Sequence, residues 1–390
     1  MKPKSLAYLV AVACLFGVGA VWWVRKTPHV QSKERESKGG VSQISTGSQD
    51  DPSLLKDDSA APTISVPERV AEILTRLNAS TDKSESRRLL AELRALLDSL
   101  PASVASREVR SLLESRKDAP TKLDVTVKKG GALGDASSFR VFLLDYLGQI
   151  DRPAAAAISH EILSVPTSAD EWAVSLRNVA WADDSADTME FLRGKAAEMI
   201  SNNAWRQNPS AGFLEAFDVI VHARGFGLEP RLAELVRDKE HRAVGYAAFL
   251  TLDRLTLSDP AAALAPLAEQ SALMDGREQT RANLFARLDV GDAPQRALLE
   301  KYLLDSRRTP QELQTFAGIY PNANYMISNN LLTANPTASD GKLATRDQVA
   351  LQVIEGWLAD PRFADLQPHL AAMRNRLRTF VQQGAVAPER

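Results

Sequence analysis

The chain holds a single cysteine, Cys14, in 390 residues, so neither a disulfide framework nor a cysteine-built zinc site can form within it. Histidine is scarce too. Of the five, His29, His160, His222, His241 and His369, no two stand at metal-ligand spacing, and His160-Glu161 is followed by Ile162-Leu163-Ser164, which removes the zinc-protease helix pattern. Aromatic residues make up 6% and no long block of one charge sign occurs, which excludes a basic tail for nucleic acid. There is no Gly-x-Ser-x-Gly elbow, and Lys128-Lys129-Gly130-Gly131-Ala132-Leu133-Gly134 has glycines without phosphate-loop spacing. Ser80-Thr81-Asp82-Lys83 matches Ser-x-x-Lys by letters, but it sits at a helix start, where capping explains it. The sequence therefore points to no catalytic residue, no metal, no cofactor and no nucleic-acid partner.

What is present is an ordinary globular balance, 44% hydrophobic and 25% charged, with 47 basic against 49 acidic residues. The charge is unevenly placed. Residues 1–26 carry Lys2, Lys4, Arg25 and Lys26 and no acid, which leaves a mildly acidic remainder. Between these flanks Ser5 to Val24 is an uncharged run of 20 residues, long enough as a helix to cross the roughly 30 Å hydrocarbon layer of a bilayer. It outruns the apolar region of a cleaved signal peptide, and so reads as an uncleaved anchor over residues 1–26. Trp22 and Trp23 beside Arg25 and Lys26 have the composition of a membrane-interface belt with a cationic stop. Cys14 follows Ala11-Val12-Ala13 as in a weak lipobox, yet the apolar run continues well past it, so it reads as a small apolar side chain. A short basic tail before a large domain places that domain outside the cytoplasmic membrane, single-pass and extracytoplasmic, with residues 5–24 in the lipid.

Residues 27–64 lack an apolar period and are rich in Ser, Gly, Gln, Lys and Asp, the composition of a disordered linker. From Ser65 the helical period takes over. Val70, Ile73, Leu74 and Leu77 lie on one face, Leu89, Leu93, Leu96, Leu97 and Leu100 on the next, and Val104, Val109, Leu112 and Leu113 on a third, which gives a helical segment over 65–118. Residues 119–138 break the pattern and read as a loop with a short extended piece. Beyond Phe139 helices come in pairs. Asp151-Arg152-Pro153, Glu229-Pro230, Asp259-Pro260, Asp292-Ala293-Pro294 and Asp360-Pro361 place an acid before a proline, the acid to cap a new helix and the proline to preset its first φ. First helices are expected to start near Ser168, Pro209, Arg242, Gly276, Thr309 and Thr345, a period of mostly 33 to 36 residues.

This helix, Asp-Pro turn, helix unit resembles HEAT-type repeats over roughly residues 139–383, with 384–390 a flexible tail. The resemblance implies an all-α fold, an irregular right-handed α-solenoid of helical hairpins, and a protein-binding role. Tetratricopeptide repeats share the period, but their tryptophan, glycine and tyrosine positions are not matched in register. The two acid pairs, Asp170-Glu171 and Asp183-Asp184, stand at helix starts, where the helix dipole explains them. Arg277, Arg281, Arg287, Arg296, Arg307 and Arg308 form a loose basic collection. The segment least explained by folding alone is Tyr320 to Asn330. Tyr320, Asn322, Asn324, Tyr325, Asn329 and Asn330 offer flat contact area and adaptable hydrogen bonds, the chemistry of a partner-binding loop. The expected function is that of a membrane-anchored scaffold or adaptor for an extended protein segment in the cell envelope. The alternatives are an envelope enzyme, for instance glycan-active through carboxylates joined only by folding, and a structural tether.

Overall fold

The computed structural model describes residues 65–335 and 340–386, so the anchor, its interface residues Trp22, Trp23, Arg25 and Lys26, and the linker lie outside the described residues. Among the described residues no helix is long and apolar enough to cross a membrane.

The described chain is all-helical and solenoid-like, and the local signals explain most of its helix starts. Helix α1 (Val66–Ala79) opens on a full capping box, Ser65 accepting from the Glu68 amide while Glu68 accepts from that of Ser65. In α2 (Lys83–Asp98) Asp82 caps the amides of Ser84 and Glu85; α3 (Ala102–Glu114) follows Pro101. After residues 119–138 come α4 (Phe139–Ile150) and α5 (Arg152–Leu163), the latter capped by Asp151 on the Ala154 amide at 3.1 Å. Then follow α6 (Ala169–Ala182), α7 (Ala186–Ser201) and three one-turn helices, α8 (Asn203–Gln207), α9 (Ala211–Glu215) and α10 (Asp218–His222). The remainder is α11 (Glu229–Arg237), α12 (Arg242–Ser258), α13 (Pro260–Glu269), α14 (Glu278–Phe285), α15 (Ala293–Leu304), α16 (Pro310–Ile319), α17 (Asp340–Ala359) and α18 (Gln367–Val386).

The acid-proline rule has one exception. Asp259 and Asp292 cap α13 and α15 as expected, and Asp360 caps a 3-10 turn, Pro361–Leu366, that leads into α18. Glu229, with one methylene more, instead accepts from the preceding amide of Gly227 at 2.7 Å, and α11 has no side-chain cap. The expected start at Thr345 is also displaced: α17 begins at Asp340, which leaves Thr345 and Gln348 inside the helix and not at its cap.

Residues 119–138 are more ordered in pattern than a plain loop. Ala119, Thr121, Leu123 and Val125 are buried while the residues between them are exposed, the alternation of an extended strand. Two isolated antiparallel bridges, Pro120 with Ser138 and Val127 with Leu133, fold it back on itself. Gly130 and Gly131, both at positive φ, carry the tip, a conformation that glycine adopts without steric cost.

Helices pack mainly on near neighbours in the chain: α4 on α5 and α6, α11 on α12, α12 on α13, α13 on α15, α14 on α16 and α17 on α18. The first helices of successive hairpins are cross-linked by a ladder of polar pairs. Arg140 binds Glu171 (2.8 Å), Arg177 binds Asp145 (2.6 Å), Ser210 donates to Asp170 (2.6 Å), Arg254 binds Asp218 (2.5 Å), Arg287 binds Asp253 (2.5 Å) and Arg281 binds Glu312 (2.7 Å). Partners in the ion pairs stand 31, 32, 36, 34 and 31 residues apart, one repeat period each. These pairs fix register more than they add stability, because desolvation cancels much of their attraction. Asp170 and Glu171 are therefore inter-unit links, beyond any effect of their helix dipole.

Candidate functional site

Between α16 and α17 the chain does not turn directly. Residues 320–335 run back along the array as a strap that touches four earlier elements. Tyr320 is buried and stacks on Phe316 at 5.1 Å, which ties the strap to α16. The Asn322 amide donates to the Ala286 carbonyl at 2.7 Å, just beyond α14. Tyr246 of α12 donates its hydroxyl to the Met326 sulfur at 3.2 Å. The amides of Leu332 and Thr333 both donate to Asp218 Oδ2 of α10, at 2.7 and 2.9 Å, and the Thr333 hydroxyl donates to Oδ1. Arg254 closes this knot, donating to Asp218 and to the Thr333 hydroxyl. Leu331 is buried, and its carbonyl lies so near Gly131 that a Cβ there would stand 2.1 Å from the oxygen; Gly131 is required by this approach as well as by its φ.

Two of the four asparagines expected to meet a partner, Asn322 and Asn330, hold the strap's own shape. Asn322 is buried and accepts the Asn324 amide at 3.0 Å. Asn330 donates to the Thr333 carbonyl at 3.1 Å and accepts the Ser328 hydroxyl at 2.6 Å. Ser328 and Asn335 bond reciprocally. Asn324 and Asn329 are exposed. Tyr325 is half-buried and, with Asn322, lines a cleft.

That cleft, about 640 Å³, lies between the C-terminal end of α12, the α14–α15 connection, the two arms of the strap and α17. Its polar walls include Arg254, Arg287, Arg346, Gln295 and Asp289. Apolar wall comes from Val221, Leu257, Pro260 and Leu343. Arg287 chelates Asp253 with Nε and Nη2, and its Nη1 is buried with no partner. Burial pushes the Asp253 carboxyl up, and Arg287 opposes that shift. Arg346 donates from Nη2 to the carbonyls of Arg287 (2.8 Å) and Leu288 (3.3 Å), and its Nε is also buried without an acceptor. The expected basic collection contributes only Arg287 to this wall; Arg281 and Arg308 turn inward to share Glu312, and Arg307 binds Asp305. Arg254 and Arg346 stand outside any local basic run in sequence and are brought here by the stacking of hairpins.

Among the described residues no group of three or more His, Cys, Asp or Glu is placed to hold a metal ion. No protein-family model matches the chain, and comparison with curated proteins and with solved structures finds no match.

The strap's main anchor makes a direct prediction. Asp218→Ala removes three acceptor contacts to residues 332–333, each charge-assisted and worth about 1.5–3 kcal/mol. Hydrogen exchange at the Leu332 and Thr333 amides is expected to quicken by about tenfold or more, and limited proteolysis to cut within residues 326–333 first. Unchanged exchange at both amides would show that Asp218 does not hold the strap.

Proposed function

We propose that the protein is a membrane-anchored scaffold or adaptor that receives an extended segment of a partner along the first helices of its array. In this reading residues 5–24 hold it in the cytoplasmic membrane, and the helical body, an irregular right-handed HEAT-like solenoid, stands on the extracytoplasmic side. One observation carries the proposal. This surface already binds an extended chain, its own strap, using side chains and carbonyls drawn from successive units: Ala286, Tyr246, Arg254 and Asp218. Repeat arrays present such surfaces because each unit supplies one step of contact to a ligand that runs across them. Beside the strap the cleft remains open, with Tyr325 and Asn322 on one wall.

Site-specific photo-crosslinking in the full-length protein, in its own cells, tests this. A photoreactive residue at exposed Asn324, beside the cleft, is expected to capture a reproducible protein partner, and one at exposed Glu190, on the second helix of an earlier hairpin, is expected not to. No adduct from position 324, or the same adducts from both positions, would sink the reading.

A further inference from the structure

The cleft contains three guanidinium groups with different histories. Arg254 is neutralised by Asp218 and Arg287 by Asp253, both within hydrogen-bonding distance. Arg346 makes no ion pair with a carboxylate of the described residues; its fixed contacts are two backbone carbonyls, which hold the side chain in place, and Asp347 beside it feels its charge without bonding to it. Two of the three, Arg287 and Arg346, also retain a buried donor with no acceptor. A half-buried cation with its orientation set by the main chain and no carboxylate bonded to it is poised for an anion, since guanidinium and carboxylate match as planar, two-point partners.

We propose that this cleft binds a carboxylate of an acidic, extended polypeptide segment, with Arg346 as the residue that receives it. The inference rests on the adaptor reading and names the chemistry of the partner. Asp289 lines the same cleft and Asp347 follows Arg346 in α17. Their presence disfavours a doubly charged phosphate and suits a single negative charge on an apolar stem. The stem would lie against Val221, Leu257, Pro260 and Leu343, while Gln295 and Asn322 offer hydrogen bonds to its peptide groups. The carboxylate can belong to an Asp or Glu side chain or to a chain terminus, and the test separates these.

Three fluorescent octapeptides of one backbone serve as probes for the purified full-length chain, read by anisotropy. The first carries two glutamates and a free C-terminus, the second the glutamates and an amidated terminus, the third glutamines and an amidated terminus. The first is expected to bind at least about tenfold more tightly than the third, and the preference to shrink at high salt. A second peptide equal to the first assigns the site to side chains; one equal to the third assigns it to the terminus. Arg346→Gln is expected to erase the preference and Arg346→Lys to keep part of it, with thermal unfolding midpoints showing that both variants fold. Three peptides of equal affinity, an undiminished preference in Arg346→Gln, or displacement by inorganic phosphate at concentrations where acetate has no effect would each overturn the proposal. A partner cross-linked at Asn324 equally well in Arg346→Gln would leave the adaptor reading standing and remove this one. Acid-selective peptide binding without any cross-linked partner would do the reverse.

Discussion

Glu312→Ala is expected to cost the protein about 3–5 kcal/mol, the usual loss when one member of a buried ion pair is removed. Glu312 lies in α16, is 1% exposed, and is the acceptor of four groups. Arg281 reaches it with Nε at 2.8 Å and Nη2 at 2.7 Å, the Tyr302 hydroxyl donates at 3.0 Å, and Arg308 approaches at 3.5 Å. Without it Arg281, with a side chain only 2% exposed, keeps the Ser271 carbonyl and a contact to Asp275, which is itself mostly in solvent. Arg308 retains Asp305. Burial, then Glu312, already hold the Tyr302 hydroxyl well above its ordinary pKa, so it cannot answer by ionising. Glu312→Gln keeps an acceptor and the side-chain volume and is expected to lose less. Because contact in a repeat array is mostly between neighbours, the damage should concentrate in α14, α16 and the strap that leaves α16, and amide exchange there should quicken more than in α1–α3. Urea unfolding of the full chain measures the whole effect. A loss below about 1 kcal/mol would mean that the Arg281 pair is not the buried link it forms here.

How much of this was legible beforehand differs by element. The hairpin period could be read because its cause is local: Asp151, Asp259 and Asp292 cap helices within three residues, and Ser65 and Glu68 answer each other across one turn. The period also predicts where the ladder must be, since a side chain and its counterpart one unit on are separated by one repeat. Which acid meets which arginine was not legible, because Asp145 and Arg177 are ordinary letters until α4 and α6 lie side by side. Residues 119–138 concealed alternation at Ala119, Thr121, Leu123 and Val125 behind the Thr, Lys and Asp between them. The strap shows the sharpest division. Its composition marked it as unusual, and two of its asparagines, Asn322 and Asn330, hold turns within it, as asparagine commonly does, while Asn324 and Asn329 stay exposed. Of the cleft beside it only the strap wall, Asn322 and Tyr325, was singled out; its basic wall could not be read. Arg254, Arg287 and Arg346 are drawn from three units, and no spacing rule joins residues so far apart.

Asp145→Ala should be comparably damaging, and a second substitution should reveal why. Arg177 is wholly buried in α6; burial pushes its guanidinium down and Asp145, at 2.6 Å, pushes it back up. Its remaining contacts are the Gly131 carbonyl at 2.8 Å, Asn178 at 2.9 Å and the face of Trp181, 4.0 Å from the guanidinium carbon. Remove Asp145 and a buried charge is left without its counter-ion, at an expected cost of about 3–5 kcal/mol. The double variant Asp145→Ala/Arg177→Met removes the charge as well and is expected to recover most of that loss, since a well-filled apolar pair is often as stable as the ion pair it replaces. Recovery should fall short by about 1–3 kcal/mol, because the Leu133 amide loses its acceptor and the Gly131 carbonyl its donor. Gly131 also links residues 119–138 to the strap. It packs close to the Leu331 carbonyl, whose peptide unit carries the Leu332 amide of the knot at Asp218, so the double variant should remain folded yet show faster exchange at Leu332 and Thr333. A double variant no more stable than Asp145→Ala alone would show that shape, not charge, sets the cost. Unchanged exchange at 332–333 would sever the tip of residues 119–138 from the strap it is placed to hold.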